Sequence, residues 1–500
     1  METTKEQNIF PTKFKLVSFY EDEWNNSKKI LLDLKSQCQN KDISLEEKFQ
    51  KLSRVIFNFE KLHGNEDYGK DYLANKCMNL NLAIKFYFKK NEENFYNDLL
   101  PFIIEQSLLI EERAKNKYGE QTLPLMPSGK AMKESIPKLL FLSMISNNFF
   151  CNHKDVINQL NSEQIKLTKI KEWNIVNWYK LYNLKHPAES YISTQRIVCL
   201  IAFFDFAKRI LDSKNNYFEK DIIVERIIFN PDDINKKLSE CQNTFEEKDI
   251  FIHTNDMDNP GISTQSLVNF ANRNFQTGRI IASCTQEEVL FCVRPELFMA
   301  MFICQRVYEN EIIIIFNAYK LMENTGYLNT FKFKCLKENI FSDKNFYKND
   351  NENILCLDAT FMEHYSFNSV LQDFSKFYMA CDYCSKKNEN PGISTGSWGC
   401  GAFYCDKAHK FLQQLVCGKA CGVKLSYSTF GDQKYKNKLE KLFKAVLEYT
   451  PKVCDLYKLI IDFKGKYDKE FHKYLKEKLG DEFNMEEDAE DVIYKLFMNA

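Results

Sequence analysis

Apolar residues recur at three- and four-residue spacing through roughly the first 120 positions, and that spacing predicts helices. It is clear in Ile30–Leu34, in Phe49–Ile56 and in Gln106–Arg113. Leu123–Gly129 (LPLMPSG) collects the breakers Pro and Gly and is expected to be a linker. Two further helices are expected, over Ile136–Phe150 and Arg196–Ile210, the first too short to cross a bilayer. Between them, residues 165–184 carry Trp173, Trp178 and Tyr179 among lysines, a stripe that reads as helix packing.

Beyond about residue 215 the pattern changes. Asp221–Phe229, Ile250–His253, Glu311–Phe316, Ile354–Leu357 and Lys424–Phe430 are short runs rich in apolar or β-branched residues, and they predict strands. Helical periodicity returns over Gln286–Val307, Asn368–Cys381, Asp406–Cys421 and Lys434–Tyr449. Strands alternating with helices predict an α/β layer with a mixed, mostly parallel sheet. The hexapeptide NPGIST occurs at residues 259–264 and again at 390–395, and both copies are expected to be loops.

Composition limits the function classes. A net charge of -1 over 500 residues gives no general attraction to nucleic acid or to an anionic membrane, so direct nucleic-acid binding is not expected. The 17 cysteines are scattered, and no apolar signal core opens the sequence METTKEQNIF, which predicts free thiols in a reducing, intracellular compartment. Cys381 and Cys384 form one CxxC, but His364 and His409 are not spaced to complete a zinc site, so no metal is expected. Residues 348–353 read as a polar loop, and the acidic run 486–491 as a solvated helix face.

Candidate chemistry gathers in a few glycine-bearing loops, although the chain has only 16 glycines. The first is within Leu267–Arg294, expected to run as loop from Asn269 to the helix that begins with Gln286-Glu287-Glu288. Adjacent carboxylates repel, and a buried glutamate is poised for general acid/base work; a solvated pair at a helix start is the plainer alternative. The others are Glu323–Tyr327, Thr395–Phe403 and Ser428–Asp432. Glycines there let backbone N–H groups approach a phosphate, and the helix start expected just after Phe403 would favour an anion. Tyr327, Phe403 and Phe430 could each pack on a flat base.

These segments resemble the poly(ADP-ribose) glycohydrolases. The resemblance rests on VNFANR (268–273), Gly278 followed by Gln286-Glu287-Glu288, Pro295-Glu296-Leu297, Thr325–Tyr327, Leu357-Asp358-Ala359, TGSWGCGAF (395–403) and TFGD (429–432), in that order. It implies a macrodomain-like α/β/α layer over residues 216–500, preceded by a helical accessory region over 116–215, with residues 1–115 an N-terminal helical extension. It implies hydrolysis of ribose–ribose O-glycosidic bonds in poly(ADP-ribose), with Glu288 as acid/base and Glu287 orienting ribose hydroxyls. Asn269, Asn272, Gly278, Gln286, Tyr327, Phe403 and Phe430 would contact substrate. No cofactor and no metal are implied. The implied partner is poly(ADP-ribose), or ADP-ribose on modified proteins, met by a monomer in nucleus or cytoplasm without any membrane association.

The same comparison exposes departures. Gln276 and Thr277 stand beside Gly278 where the family has three glycines. Asn269 stands for an aspartate, Ser397 for the asparagine before the Trp, and Arg279 follows Gly278 where an apolar residue is usual. Side chains at 276 and 277 would hinder backbone approach to a diphosphate, while Arg279 could supply positive charge. A second reading is therefore a catalytically impaired relative that binds ADP-ribose or its polymer as a reader or scaffold.

Overall fold

The computed structural model describes residues 13–15, 21–61, 75–119, 122–152, 176–183, 186–213, 215–275, 281–337, 341 and 353–480. In chain order the strands are β1 (Lys13–Lys15), β2 (Thr122–Pro124), β3 (Met132–Pro137), β4 (Asp221–Ile228), β5 (Ile250–His253), β6 (Ser266–Ala271), β7 (Glu311–Phe316), β8 (Met322–Thr325), β9 (Lys332–Leu336), β10 (Asn353–Asp358), β11 (Gly392–Thr395) and β12 (Lys424–Ser428). The chain divides into two compact units, each discontinuous: one holds residues 1–225, 274–306 and 315–350, the other 226–273, 307–314 and 351–500.

The first unit is mainly helical. The expected helices appear as Glu21–Gln39, Leu45–Lys61, Leu100–Leu108, Ile110–Tyr118, Lys138–Phe149 and Pro187–Asp212. Helix Pro187–Asp212 is buried on nearly every face between Ser190 and Ile210, so its sequence shows little amphipathic stripe. It packs on helix Met78–Phe88 and on β9. The expected linker is instead buried structure: β2 lies in it, Leu123, Leu125 and Met126 are fully covered, and Met126 exchanges backbone hydrogen bonds with Ile303 and Gln305. The prolines that suggested a linker are compatible with a short edge segment. Trp173 lies outside the described residues; Trp178 is buried, and Tyr179 is half-buried with its ring edge to face with Phe57 at 6.3 Å.

The second unit carries the α/β layer. Its strands follow the order β4-β7-β10-β6-β11-β12-β5, with β4 and β7 contributing residues 226–228 and 311–314. The pairs β10–β6, β6–β11, β11–β12 and β12–β5 are all parallel. Helices Pro231–Glu240, Phe367–Lys387, Lys407–Ala420 and Val453–Ile461 pack on one another beside this sheet. Parallel strands covered by helices read as continuous apolar runs, and β10 (NILCLD) does so.

Three local expectations are corrected. Residues 266–271 form the central strand β6, so the loop expected from Asn269 starts only after Ala271; the segment sits between two strands and all but Phe270 are buried. The second NPGIST copy supplies β11, while the first stays irregular. The helix expected over Gln286–Val307 ends at Val293, since Pro295 cannot donate to the preceding turn; a short 3-10 turn and helix Phe298–Ile303 follow. The runs 348–352 and 486–491 lie outside the described residues.

Candidate active site

In the first unit, Gln286-Glu287-Glu288 forms the opening turn of helix Gln286–Val293. Thr285 is its N-cap and the sequence Thr-Gln-Glu-Glu makes a capping box. Glu288 Oε2 accepts a hydrogen bond from the Thr285 backbone N–H at 2.9 Å and another from the Thr285 hydroxyl. Glu287 and Glu288 are each only 4% exposed, so the solvated-pair alternative fails. Carboxylates in a first turn face unpaired backbone N–H groups and the positive end of the helix dipole, which favours holding them there.

Arg196 fixes the approach to this turn. Fully buried on helix Pro187–Asp212, it donates through Nη1 to the carbonyls of Ile281 and of Ser283, the latter at 3.1 Å. Burial works against its charge, but Cys292, Cys284 and Glu288 outweigh that and hold its pKa above the ordinary value. The sequence pattern places Arg196 at the start of a buried helix and marks it for no role beyond packing. A fully ionised group inside an apolar run was the available signal.

Tyr327 belongs to the same unit. It sits in the loop of the β8–β9 antiparallel hairpin, half-buried, with its N–H on the Thr330 hydroxyl at 3.0 Å. The next residue, Leu328, donates its N–H to Cys284 O at 3.0 Å, and Leu321 donates to Val293 O at 2.9 Å. The structure thus brings the Tyr327 loop against the segment that opens the Glu287–Glu288 helix. Gly326 takes a φ of +74°, and a Cβ there would lie 2.0 Å from Thr330 O, so no other residue fits this turn.

In the second unit, Asn269, Asn272, Phe403 and Phe430 fall on or beyond parallel strands. Asn269 lies within β6, fully buried, with its amide donating to Cys356 Sγ at 3.7 Å across the β10 register. Asn272 follows the carboxyl end of β6, Phe403 lies in the loop after β11 and Phe430 in the loop after β12. Because these strands are parallel, their loops share one sheet edge, where α/β proteins bind ligands. The β11 and β12 loops touch: a Cβ at Gly396 would lie 2.9 Å from Ser428 O and 3.6 Å from the Phe270 ring. Gly399 has a φ of +76°, and a Cβ there would lie 2.6 Å from the Ala359 Cβ. Trp398 anchors the loop through Nε1 to Leu357 O at 2.8 Å.

Phe430 is 55% exposed and holds a φ of +52°. An exposed phenylalanine in the left-handed region costs energy without core packing in return, and such residues gather at functional sites. Its N–H is fixed by the Ser428 hydroxyl at 3.1 Å, and the Gly431 N–H by Thr254 O at 2.8 Å. Phe403 meets Phe361 edge to face at 5.6 Å; Phe361, 55% exposed just after β10, is an aromatic at this edge that sequence reading passed over. The helix after this loop runs from Lys407 to Ala420 with Asp406 as N-cap, inside the expected Asp406–Cys421 and not directly after Phe403. Gln276, Thr277, Gly278 and Arg279 lie outside the described residues.

Cys381 and Cys384 are buried core thiols on helix Phe367–Lys387, with burial pushing Cys384 up to about 11. Among the described residues no three His, Cys, Asp or Glu side chains converge as metal ligands.

Residues 87–226 match the helical domain of poly(ADP-ribose) glycohydrolase, and residues 236–437 match its macro domain fold. The chain belongs to the poly(ADP-ribose) glycohydrolase family. Poly(ADP-ribose) glycohydrolase 1 of Caenorhabditis elegans is 26% identical over 242 residues, 45% of this chain and 30% of that protein. A probable poly(ADP-ribose) glycohydrolase 2 of Arabidopsis thaliana is 22% identical over 428 residues, covering 75% of this chain and 79% of the relative. Poly(ADP-ribose) glycohydrolase 2 of Caenorhabditis elegans is 30% identical over 196 residues, 35% of this chain and 39% of that one. The chain therefore spans less than half of the two worm relatives and most of the plant one.

Proposed function

We propose that this protein is a poly(ADP-ribose) glycohydrolase that hydrolyses ribose–ribose O-glycosidic bonds and releases ADP-ribose. The observation that carries the reading is the pair of buried glutamates in the first turn of helix Gln286–Val293, in a chain of this family. Glu288 protonates the departing ribose hydroxyl as the C–O bond breaks. The resulting carboxylate then takes a proton from the water that adds to the oxocarbenium-like carbon, so the net change is one water across one bond. Glu287 holds ribose hydroxyls in place. Asn269, Asn272, Gly278, Gln286, Tyr327 and Phe403 contact the substrate, and Phe430 stacks on adenine. No metal or cofactor takes part.

The boundaries we propose are a helical extension over residues 1–115, an accessory region over 116–215 and a macrodomain-like catalytic domain over 216–500. We place the protein inside the cell, in nucleus or cytoplasm, acting as a monomer without nucleic acid; its 17 free cysteines support a reducing compartment. Among the described residues no helix is long and apolar enough to cross a membrane.

The test is ADP-ribose release from purified poly(ADP-ribose), with Glu288→Gln alongside. Release by the wild type, abolished by Glu288→Gln, is expected. Chain binding without any release by the wild type would instead establish the reader.

A further inference from the structure

A cavity of about 1200 Å³ opens on the first unit between helix Met78–Phe88, helix Pro187–Asp212 and strand β9. Its cations are Lys85, Lys89, Arg209, Lys332, Lys334 and Lys337, and none of its lining residues among those described is acidic. In a chain whose net charge is -1, that is a strong local concentration of one sign. Lys85, Lys89, Lys332 and Lys334 are exposed, and none makes an ion pair among the described residues. Asp205, beside the lining residues Tyr87 and Arg209, is engaged: it accepts from the Tyr87 hydroxyl at 2.8 Å and lies 3.8 Å from Arg209.

Aromatic rings are interleaved with these charges. Phe86 is 40% exposed, while Tyr87 and Phe333 pack at 5.9 Å and make the base of the groove. Phe333 is pinned by its N–H on Gln195 Oε1 at 3.0 Å. Backbone-tracking cations with an exposed ring beside them are the equipment of single-strand polyanion binders, where phosphates meet cations and bases stack. The volume exceeds the roughly 300–1000 Å³ typical of a site for one small ligand.

The groove also has a direction. Thr325 lines it, and Tyr327 lies two residues further along the same hairpin, so at most about 7 Å of chain separates them. Leu328 is bonded to Cys284 O, next to the helix that carries Glu287 and Glu288.

We propose that this groove is an exosite for the diphosphates and bases of a poly(ADP-ribose) chain beyond the units at the cleavage site, and that it sets a preference for long chains. The proposal rests on the substrate class assigned above.

The test measures chain binding in the full-length Glu288→Gln protein, so that cleavage is not needed for the readout. Lys332→Glu/Lys334→Glu is compared with the same protein without those changes, using size-fractionated poly(ADP-ribose), free ADP-ribose and single-stranded DNA of matching phosphate number. The expected result is about a tenfold or greater loss of long-chain affinity, with a log–log salt slope shallower by about 1.4, two contacts at about 0.7 each. ADP-ribose binding stays unchanged. Lys332→Gln/Lys334→Gln, which carries no repulsive charge, gives a smaller loss in the same direction. Unchanged long-chain affinity and slope, or an equal loss for free ADP-ribose, would overturn the exosite. So would DNA that competes as well as the polymer. Wild-type protein that releases no ADP-ribose, while the length-dependent loss persists, would refute the glycohydrolase activity and leave the exosite standing.

Discussion

Glu288 has two jobs that can be separated. Its Oε2 closes the capping box with Thr285, and no bond among the described residues falls on Oε1. Glutamine caps as glutamate does in this motif, but it cannot deliver and retrieve a proton. Glu288→Gln is therefore expected to keep its melting temperature and lose about 10²–10⁴ in rate. Glu288→Ala loses the cap as well and should be less stable than the Gln variant by about 1 kcal/mol. Equal activity in Gln and wild type would leave Glu288 only the cap. At Phe430 the signs separate in a similar way. Glycine adopts a φ of +52° freely, so Phe430→Gly should raise stability by up to about 1 kcal/mol while weakening ADP-ribose binding by about tenfold through the lost ring. A binding assay beside a thermal melt reads both, and stability falling with binding unchanged would mean that the ring serves the fold. The Thr-Gln-Glu-Glu capping box and the TFGD motif are both visible in the sequence. The positive φ of Phe430 and the burial of both glutamates are not, because each is imposed by neighbours distant in the chain.

At the level of elements, identical local sequence takes two conformations. NPGIST at 259–264 stays irregular with Gly261 at a φ of +71°, whereas residues 392–395 of the second copy become β11. The difference is tertiary. Gly392 lies against the first copy, where a Cβ would meet Ser263 O at 2.6 Å, and Gln265 N–H donates to Gly392 O. No window around either copy contains that pairing, so the strand could not be read from sequence, while the strongly apolar β7 and β10 could. The helix beyond the WGCGAF loop makes a sharper point. Asp406 caps it through the His409 N–H at 2.8 Å and receives His472 Nε2 at 2.7 Å. Burial would raise the Asp406 pKa, but these bonds outweigh it and hold the carboxyl below its usual range. Its stabilising contribution is therefore complete above the unfolded value of about 3.9 and disappears as pH falls through the lower folded value. Asn keeps the cap without the charge. Asp406→Asn should lower the melting temperature near neutral pH, with the gap to wild type closing as pH falls below about 4. A gap of constant size across that window would mean that the ionised carboxylate contributes nothing.

At the level of the whole molecule, the family's two domains are legible as a helical half and an α/β half, but the compact units do not follow the order of the chain. The helical unit includes residues 274–306 and 315–350, which come after β4–β6 in sequence. These later segments supply partners that the first 225 residues cannot provide for themselves. Met126 N–H donates to Ile303 O, Arg196 donates to the Ile281 and Ser283 carbonyls, and Gln195 accepts from the Phe333 N–H. Without them Arg196 would be a buried cation lacking its carbonyls, a loss on the scale of several kcal/mol for an uncompensated charge. Apolar surface on helix Pro187–Asp212 that packs on β9 and on helix Gln286–Val293 would also open to water. A fragment of residues 1–225 is therefore expected to show helical circular dichroism without a cooperative melt and to bind a hydrophobic dye, whereas the full chain melts cooperatively. A fragment that melts as sharply as the full chain, with no dye binding, would mean that the helical half folds from its own sequence and that the later segments merely dock on it. The first outcome would tie the Glu287–Glu288 helix and the Tyr327 hairpin to the same cooperative unit as the exosite groove. A destabilising change on either segment should then weaken long-chain binding even where it touches no substrate.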